Sequence, residues 1–216
     1  MYRKILGLFR LFFHLLNADN RSTIRKIVDE LLNGQPTIKQ KTFVMMVGYS
    51  KSGKTSYVKK NEKLKGFFNL STNSIHDLLN NKLGFLKDDD TIYGNAYWER
   101  QYLTRIVRKR TLKKAFSNGL AVVNDSANLN RKERRKRLSM AKRYSYETVI
   151  LWVTCPEDEL LNRLQKADDE LTSNGKKPVW VNLYKYVQKE RFDPPLEREA
   201  DIVEKVMCSS GNGTSY

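Results

Sequence analysis

Apolar runs of five or six residues alternate with stretches of helical periodicity along most of this chain. Five runs read as strands, at 43–47, 66–70, 120–125, 148–153 and 201–206. The first, Phe43-Val44-Met45-Met46-Val47, is apolar throughout, as in a strand buried on both faces. Helical segments are expected at 54–62, from a turn at 71–77 through 80, and at 94–118, 130–143, 156–165 and 180–189. Gly119 stops the longest of these, and Pro156 opens the next but one at its favoured first position. The polar stretches 87–90 and 167–178 read as loops, the second with a lid-like character around Gly175. Strands alternating with helices predict a three-layer α/β domain with a five-stranded parallel sheet, the 43–47 strand central. Ligands in such a sheet sit at the carboxyl ends of the strands.

Ahead of this domain lies a helical extension. Residues 1–16 carry no acid and form an apolar helix with a narrow polar stripe of Arg3, Gly7, Arg10 and His14. It is too short and interrupted for a membrane span, and no signal-type cleavage site follows it. Three readings stay open: packing on the core or a second subunit, lying in a membrane interface, or targeting. Polar residues 17–20 break it. Ser22 is expected to cap a second helix carrying Ile24, Ile27, Val28, Leu31 and Leu32, which Gly34 and Pro36 end. The expected organisation is an extension at 1–36, a nucleotide domain at 37–206 and a disordered tail at 207–216.

Charge narrows the class of partner. With 40 Lys and Arg against 24 Asp and Glu, the formal net charge is +16, so the surface attracts phosphate-rich partners, nucleic acid or lipid head groups. Cys155 and Cys208 have no metal-site spacing and suggest no disulfide framework, which fits a reducing, intracellular compartment. His14 and His76 are too far apart for a local metal site.

The chemistry centres on Gly48-Tyr49-Ser50-Lys51-Ser52-Gly53-Lys54-Thr55, a complete G-x-x-x-x-G-K-[ST] loop between a buried-type strand and a helix. Its glycines let the backbone wrap around phosphate oxygens. The candidate nucleotide contacts are Gly48, Ser50, Lys51, Ser52, Gly53, Lys54, Thr55 and Ser56. Lys54 reaches the β- and γ-phosphates and the Thr55 hydroxyl ligates Mg²⁺. ATP with Mg²⁺ is the expected cofactor pair, and GTP is not excluded. Asn73 and Asp125 fall at ends of other predicted strands and converge on the same cleft. A carboxylate closing an apolar strand is expensive to bury unpaired, which marks Asp125 as functional. The basic face Arg131 to Arg137 reads as a solvated surface or a nucleic-acid contact. Tyr97, Trp98 and Tyr102 read as core or as base-stacking groups.

From about 42 to 206 the chain resembles the P-loop polynucleotide kinases, which transfer the ATP γ-phosphate to the 5′-hydroxyl of RNA or DNA. The resemblance rests on 48–55, on Ser71-Thr72-Asn73-Ser74-Ile75-His76, and on the run 122–135 with its Asp125-Ser126-Ala127-Asn128-Leu129-Asn130 and Glu133-Arg134-Arg135. Glu159-Leu160-Leu161-Asn162-Arg163 looks like the start of the family's arginine-bearing lid. Related small-substrate kinases and zeta-type toxins share these motifs. The resemblance implies that Lys54 and Thr55 hold phosphate and Mg²⁺. It implies that Asp125, Ser126 and Asn128 support an acceptor site, and that a lid arginine such as Arg163 stabilises the transferring phosphoryl group. The family's base is an acid at the end of strand two, followed three residues later by an acceptor-binding arginine. Here those positions hold Asn73 and His76, and one lid arginine is replaced by Ala167, with Lys166 and Arg163 as neighbouring candidates. An amide cannot accept a proton usefully near neutral pH. Asp77, one helical turn on, is an alternative base. Three readings follow: a polynucleotide kinase, a degenerate nucleotide-dependent binding protein with a nucleic-acid or membrane role, and a small-molecule or toxin-type kinase.

Overall fold

All six residues of β1 (Thr42–Val47) are buried, and this strand takes the middle of a five-stranded parallel sheet. The computed structural model describes residues 18–34, 38–83 and 95–208. β1 pairs with β3 (Val122–Asp125) from Phe43↔Val122 to Met45↔Asn124. On its other side it pairs with β4 (Glu147–Thr154) from Thr42↔Glu147 to Val47↔Trp152. β2 (Phe68–Ser71) and β5 (Ile202–Met207) complete the order β2-β3-β1-β4-β5. The parallel sheet with its phosphate-loop strand in the centre is the one the alternating pattern predicts. Among the described residues β5 pairs with β4 alone, and half-buried or exposed positions run along its whole length.

Side chains of β1 alternate between two apolar layers. Phe43, Met45 and Val47 face a cluster built from α1 (Ala18–Leu32), α3 (Thr72–Leu83), α4 (Asn95–Ser117) and α5 (Arg131–Lys142). Val44 and Met46 face Val58 of α2 (Lys54–Lys60) and Leu64 of the short 3₁₀ turn Glu62–Leu64. The helix expected inside an N-terminal extension is therefore part of the main core. Ile24, Ile27, Val28 and Leu31 form one face of α1 and are buried in the same cluster as β1. That helix begins at Ala18, four residues ahead of the expected Ser22 cap, so residues 18–20 are its first turn rather than a break.

The end of the chain differs further from expectation. α6 (Glu157–Ser173) runs eight residues past the expected stop at 165. Its buried Leu160 and Leu164 pack on Tyr184, and Ala167 and Asp168 are buried in the supposed loop. The expected single helix 180–189 splits into α7 (Trp180–Leu183), a π-helical turn at Tyr184–Gln188 and α8 (Lys189–Arg191). Asp168 ties the start of this segment back to α6. Its carboxylate accepts the backbone N–H groups of Val179 (2.6 Å), Trp180 (2.7 Å) and Val181 (3.0 Å), an N-terminal cap supplied from the preceding helix. The expected helix at 1–16, the loop at 87–90, the side chains of Tyr97 and Trp98, and tail residues 209–216 lie outside the described residues. Tyr102 is exposed, not core. No helix among the described residues is long and apolar enough to cross a membrane.

One ion pair is wholly enclosed. Arg134 of α5 meets Glu199 side-on, Nε to Oε1 at 2.7 Å and Nη2 to Oε2 at 2.9 Å, with both side chains essentially inaccessible. Arg134 Nη1 also donates to the carbonyls of Asn128 (3.0 Å) and Leu129 (2.7 Å). This guanidinium thus braces the loop after β3. Removing one partner of a buried pair strands the other charge, at a loss of roughly 3–5 kcal/mol. Glu199→Ala is expected to lower unfolding stability in urea by that amount, whereas Glu62→Ala, which removes an exposed pair with Lys65, is expected to change it by less than about 1 kcal/mol.

Candidate nucleotide and acceptor site

The phosphate loop starts where β1 comes close to β4. Gly48 has φ of 150°, and a Cβ there would lie 2.4 Å from the Val153 carbonyl oxygen and 2.9 Å from Ser52 Oγ. No other residue fits without moving the sheet. Gly48 N–H donates to the Ala127 carbonyl (3.1 Å), tying the loop to the end of β3. Lys51 (φ 62°) and Gly53 (φ 98°) turn the chain through left-handed conformations into α2. Ser52 is buried within the loop, and Ser56 and Thr55 lie on the exposed first turn of α2.

Lys54 is buried, and its Nζ donates to the Tyr49 carbonyl at 2.5 Å. Burial pushes its ammonium down to about 8, while Asp125 draws it back up. The Thr55 hydroxyl donates to Asp125 Oδ2 at 2.7 Å. Hydroxyl and carboxylate oxygens are the donor types that Mg²⁺ prefers. No cluster of three or more His, Cys, Asp or Glu capable of holding a metal occurs among the described residues. A Mg²⁺ ion here fits a site of few protein ligands completed by nucleotide phosphates.

The acceptor-side residues fall into two groups. Ser126 and Asn128 belong to a buried hydrogen-bond chain. Arg108 Nη2 donates to Thr72 Oγ1 (2.8 Å), Thr72 donates to Ser126 Oγ (2.9 Å), and Ser126 donates to Asn124 Oδ1 (3.2 Å). Asn128 receives Asn124 Nδ2 (3.2 Å) and Arg137 Nη1 (3.1 Å) on its Oδ1 and donates to the Met46 carbonyl (2.7 Å). Its polar atoms are thus committed to the scaffold that joins β1 to β3. Asn73 stands exposed in the first turn of α3, which Ser71 caps by accepting the Ser74 N–H (3.0 Å). Ser71 is opposite Asp125 in the β2–β3 register, so Asn73 follows that position by two residues. Asp77 is also exposed. His76 is half-buried with its Nε2 enclosed and without a hydrogen-bond partner. Burial, then Arg100 and Arg108, push its imidazole down to about 4, so it is neutral near pH 7.

Arg163 reaches the loop from α6. Its Nε donates to Glu159 Oε1 (2.8 Å), and one terminal nitrogen lies 3.6 Å from where a Gly53 Cβ would stand. The segment after α6 covers the other end of the loop. Gln188 Oε1 accepts the Ser50 N–H (2.9 Å) and its Nε2 donates to Ser50 Oγ (2.6 Å). Tyr49 meets Tyr184 edge-on at 5.0 Å, and Lys51 Nζ sits 5.0 Å from the centre of the Trp180 ring. Cys155 and Cys208, distant in sequence, are both free thiols and lie together beside the loop. Burial, with Cys208 alongside, pushes the Cys155 thiol up to about 12.

Sequence reasoning missed Gln188, Asp168 and Arg108. For Arg108 a signal existed. It shares one helical stripe with Thr104, Val107, Thr111, Leu112 and Ala115, all buried. For Gln188 no local signal existed, since its partner is 138 residues away.

A central parallel strand, a glycine-hinged phosphate loop, its lysine and an adjoining Thr–Asp oxygen pair define a P-loop domain of the kinase-like class. The sequence matches the AAA domain family over residues 43–180, and the chain belongs to that family. No curated protein matches the chain in sequence. Among solved structures, one from the PezAT chromosomal toxin–antitoxin system of Streptococcus pneumoniae superposes with a TM-score of 0.64 at 13% identity, covering 87% of this chain and 76% of that one. A candidate kinase from Chloroflexus aurantiacus superposes with a TM-score of 0.56 at 14% identity, covering 77% of this chain and 84% of that one. At these identities the likeness is one of fold.

The position of Lys54 gives a pH signature. A phosphate anion favours its protonated form, so binding must take up a proton wherever the free protein has lost it. Free Lys54 loses its proton near pH 8. Calorimetry is therefore expected to show ATP affinity falling by up to about tenfold per pH unit above pH 8. Lys54→Met is expected to bind weakly at pH 7 and to lack that fall.

Proposed function

We propose that this chain is an ATP-dependent phosphotransferase that moves the γ-phosphate to the 5′-hydroxyl of a nucleic-acid end. One observation carries the reading: Lys54 and the Thr55–Asp125 pair stand at the strand ends, and the next residue in the chain, Ser126, is hydrogen-bonded by Thr72 and so joined to the Arg108 guanidinium. Lys51, Ser52, Gly53 and Ser56 cradle the phosphates; Gly48, whose N–H is held by Ala127, lets the loop fold back, and Ser50 joins the cradle once a phosphate displaces Gln188 from it. Lys54 holds the β- and γ-phosphates, the Thr55 hydroxyl, with Asp125 alongside, would hold Mg²⁺, and Arg163 offsets charge on the transferring group. His76, Ser126 and Asn128 shape the acceptor side. Mg²⁺, when bound, would neutralise phosphate charge during transfer. The acceptor oxygen forms a bond to the γ-phosphorus, the bond to the β-bridging oxygen breaks, and ADP leaves. The hydroxyl proton goes to water or to Asp77, since Asn73 cannot take it. A loose transition state asks little of a base, so positioning and charge carry most of the rate.

A second reading is a toxin-type kinase acting on a phosphate-bearing small molecule. What favours it is the fold likeness to the PezAT structure over 87% of this chain. A third is a nucleotide-dependent binding protein, favoured by the amide at position 73. Residues 1–16 are a candidate membrane-interface or self-association segment in each reading. Any truncation that tests them starts at Ala18, because α1 belongs to the core.

Incubation with γ-labelled ATP separates the three. Label is expected on 5′-hydroxyl RNA or DNA oligonucleotides and not on sugar nucleotides, and Lys54→Ala is expected to abolish it. Label on a sugar nucleotide alone selects the toxin-type reading. ATP-dependent oligonucleotide binding with no transfer selects the third. General-base help is worth about 10²–10⁴-fold in rate, so Asn73→Asp is expected to raise transfer substantially. If water already suffices, the gain stays small. If Asp77 serves as base, Asp77→Asn is instead the damaging change.

A further inference from the structure

α4 and α5 enclose a cleft of about 1060 Å³ whose lining includes no residue of the phosphate loop. Nine Lys or Arg side chains and two carboxylates line it. Both carboxylates are engaged already. Glu133 pairs with Lys136 (2.8 Å) and, more distantly, Arg137 (3.8 Å). Asp193 accepts the Arg131 N–H (3.0 Å) and fastens the start of α5. The remaining cations are not neutralised by the cleft's own acids. Arg105, Arg108 and Lys109 lie at i, i+3 and i+4 on α4 and so share one face. Opposite them, α5 and its C-cap carry basic residues from Arg131 to Arg143, a span of about 18 Å at the rise of an α-helix.

Arg108 forms the inner end of this cleft, and it is the informative residue. It is buried, it has no carboxylate partner among the described residues, and its Nε has no hydrogen-bond partner. Among the described residues its one hydrogen bond goes to the neutral Thr72 hydroxyl. Burial, then Arg137 and Arg105, push its guanidinium down to about 9, where an ordinary arginine stays far higher. A buried cation held among like charges is expensive unless an anion completes the site. Through Thr72 and Ser126 it adjoins Asp125, at the transfer end of the sheet. Its neighbour His76 is neutral and supplies no charge there.

We propose that this α4–α5 cleft is a phosphate track for a single-stranded nucleic-acid acceptor, with Arg108 and Arg137 binding the phosphate next to the reacting end and Arg105, Lys109 and Arg135 binding those beyond it. The proposal rests on the phosphotransferase reading for the identity of the reacting end, and on the cleft alone for the track. The charge is supplied by α4, a different element from the α3 position where the resembled family places its acceptor arginine. A cleft of this length and volume exceeds what one phosphate needs, since pockets of about 300–1,000 Å³ already enclose drug-sized ligands. Spread over two helices, the cations suit a chain of phosphates.

The test measures binding and transfer separately. A fluorescent 5′-hydroxyl RNA or DNA ten-mer is titrated by anisotropy over a range of salt concentrations, on the full chain. Each phosphate contact on a single strand contributes about −0.7 to the slope of log K against log salt. The exposed double variant Arg105→Gln/Lys109→Gln is expected to weaken binding at least tenfold and flatten that slope by about 1.4, if each side chain meets one phosphate. Arg108→Gln is expected to weaken it further. Should that buried variant fail to fold, the exposed pair still decides. Lys176→Gln/Lys177→Gln removes two exposed charges elsewhere and is expected to bind as wild type does. Oligonucleotide affinity and salt slope unchanged in the α4 double variant would overturn the track. So would the variant losing affinity for a sugar nucleotide while keeping it for the oligonucleotide. Loss of oligonucleotide binding in the variant, with no label transfer by any form, upholds the track and sinks the phosphotransferase reading. Label transfer that the variants leave intact does the reverse.

Discussion

The close approach of backbone to backbone at Gly48 is the constraint on which the site depends. A side chain there would meet the Val153 carbonyl at 2.4 Å, so any other residue would push β1 and β4 apart. The absence of a Cβ lets the loop fold straight back over the strand ends. Two further contacts fix where it goes. The Gly48 N–H is taken by the Ala127 carbonyl, and the Met46 carbonyl is taken by Asn128 Nδ2 (2.7 Å). The ends of β1 and β3 are thereby locked together, which is why Thr55 and Asp125 come within 2.7 Å although they are 70 residues apart in sequence. Beneath the loop after β3, Arg134 holds the carbonyls of Asn128 and Leu129 while its own charge is met by Glu199. The chemistry at the surface thus rests on a stack of buried polar contacts, each satisfied by the next.

The sheet and its phosphate loop were legible in the sequence for physical reasons. A strand buried on both faces leaves an unbroken apolar run, as at Phe43 to Val47, and the glycines that the loop geometry demands appear at fixed offsets after it. What could not be read was polarity satisfied at long range. The stretch after residue 165 looks like a loop because it is polar. It is a helix whose Asp168 is buried, since three N–H groups arrive there from residues 179–181. A carboxylate that caps a later helix gives no local signature. The same holds for α1, whose apolar face predicted a helix but not the surface it covers. Only the tertiary structure puts Ile24 and Ile27 against α3 and α4.

The candidate site was legible on its nucleotide side and much less so on its acceptor side. Lys54, Thr55 and Asp125 were singled out from motif and strand-end position, and they converge. Arg108 was passed over because α4 is basic nearly throughout, and a charge count does not separate its solvated cations from its buried one. The helical stripe does, because Val107, Thr111 and Leu112 on the same side are all buried. In a strongly basic helix the cation on the apolar face is the one that needs a reason.

Charge consistency links the unusual pair at Asn73 and His76 to that buried arginine. An aspartate beside an arginine is a compensated pair. Replacing the acid alone would leave an uncompensated cation, and replacing the arginine alone would leave an uncompensated anion. This chain carries neutral groups at both positions, since burial and the flanking arginines hold His76 uncharged near pH 7. The two departures are therefore electrostatically one change. They leave Arg108 as the cation bonded to the first turn of α3, with neutral Thr72 as its hydrogen-bond partner. An arginine without its carboxylate has its field directed at whatever anion enters. Compared with the pattern it resembles, such a site lacks a built-in base at position 73 and keeps a buried cation. That trade is tolerable for phosphoryl transfer, where charge stabilisation and positioning outweigh proton abstraction. It is equally tolerable for a protein that only holds a phosphate chain in a nucleotide-dependent manner, and under the proposed track the two differ in whether an acceptor hydroxyl is aligned with the γ-phosphorus.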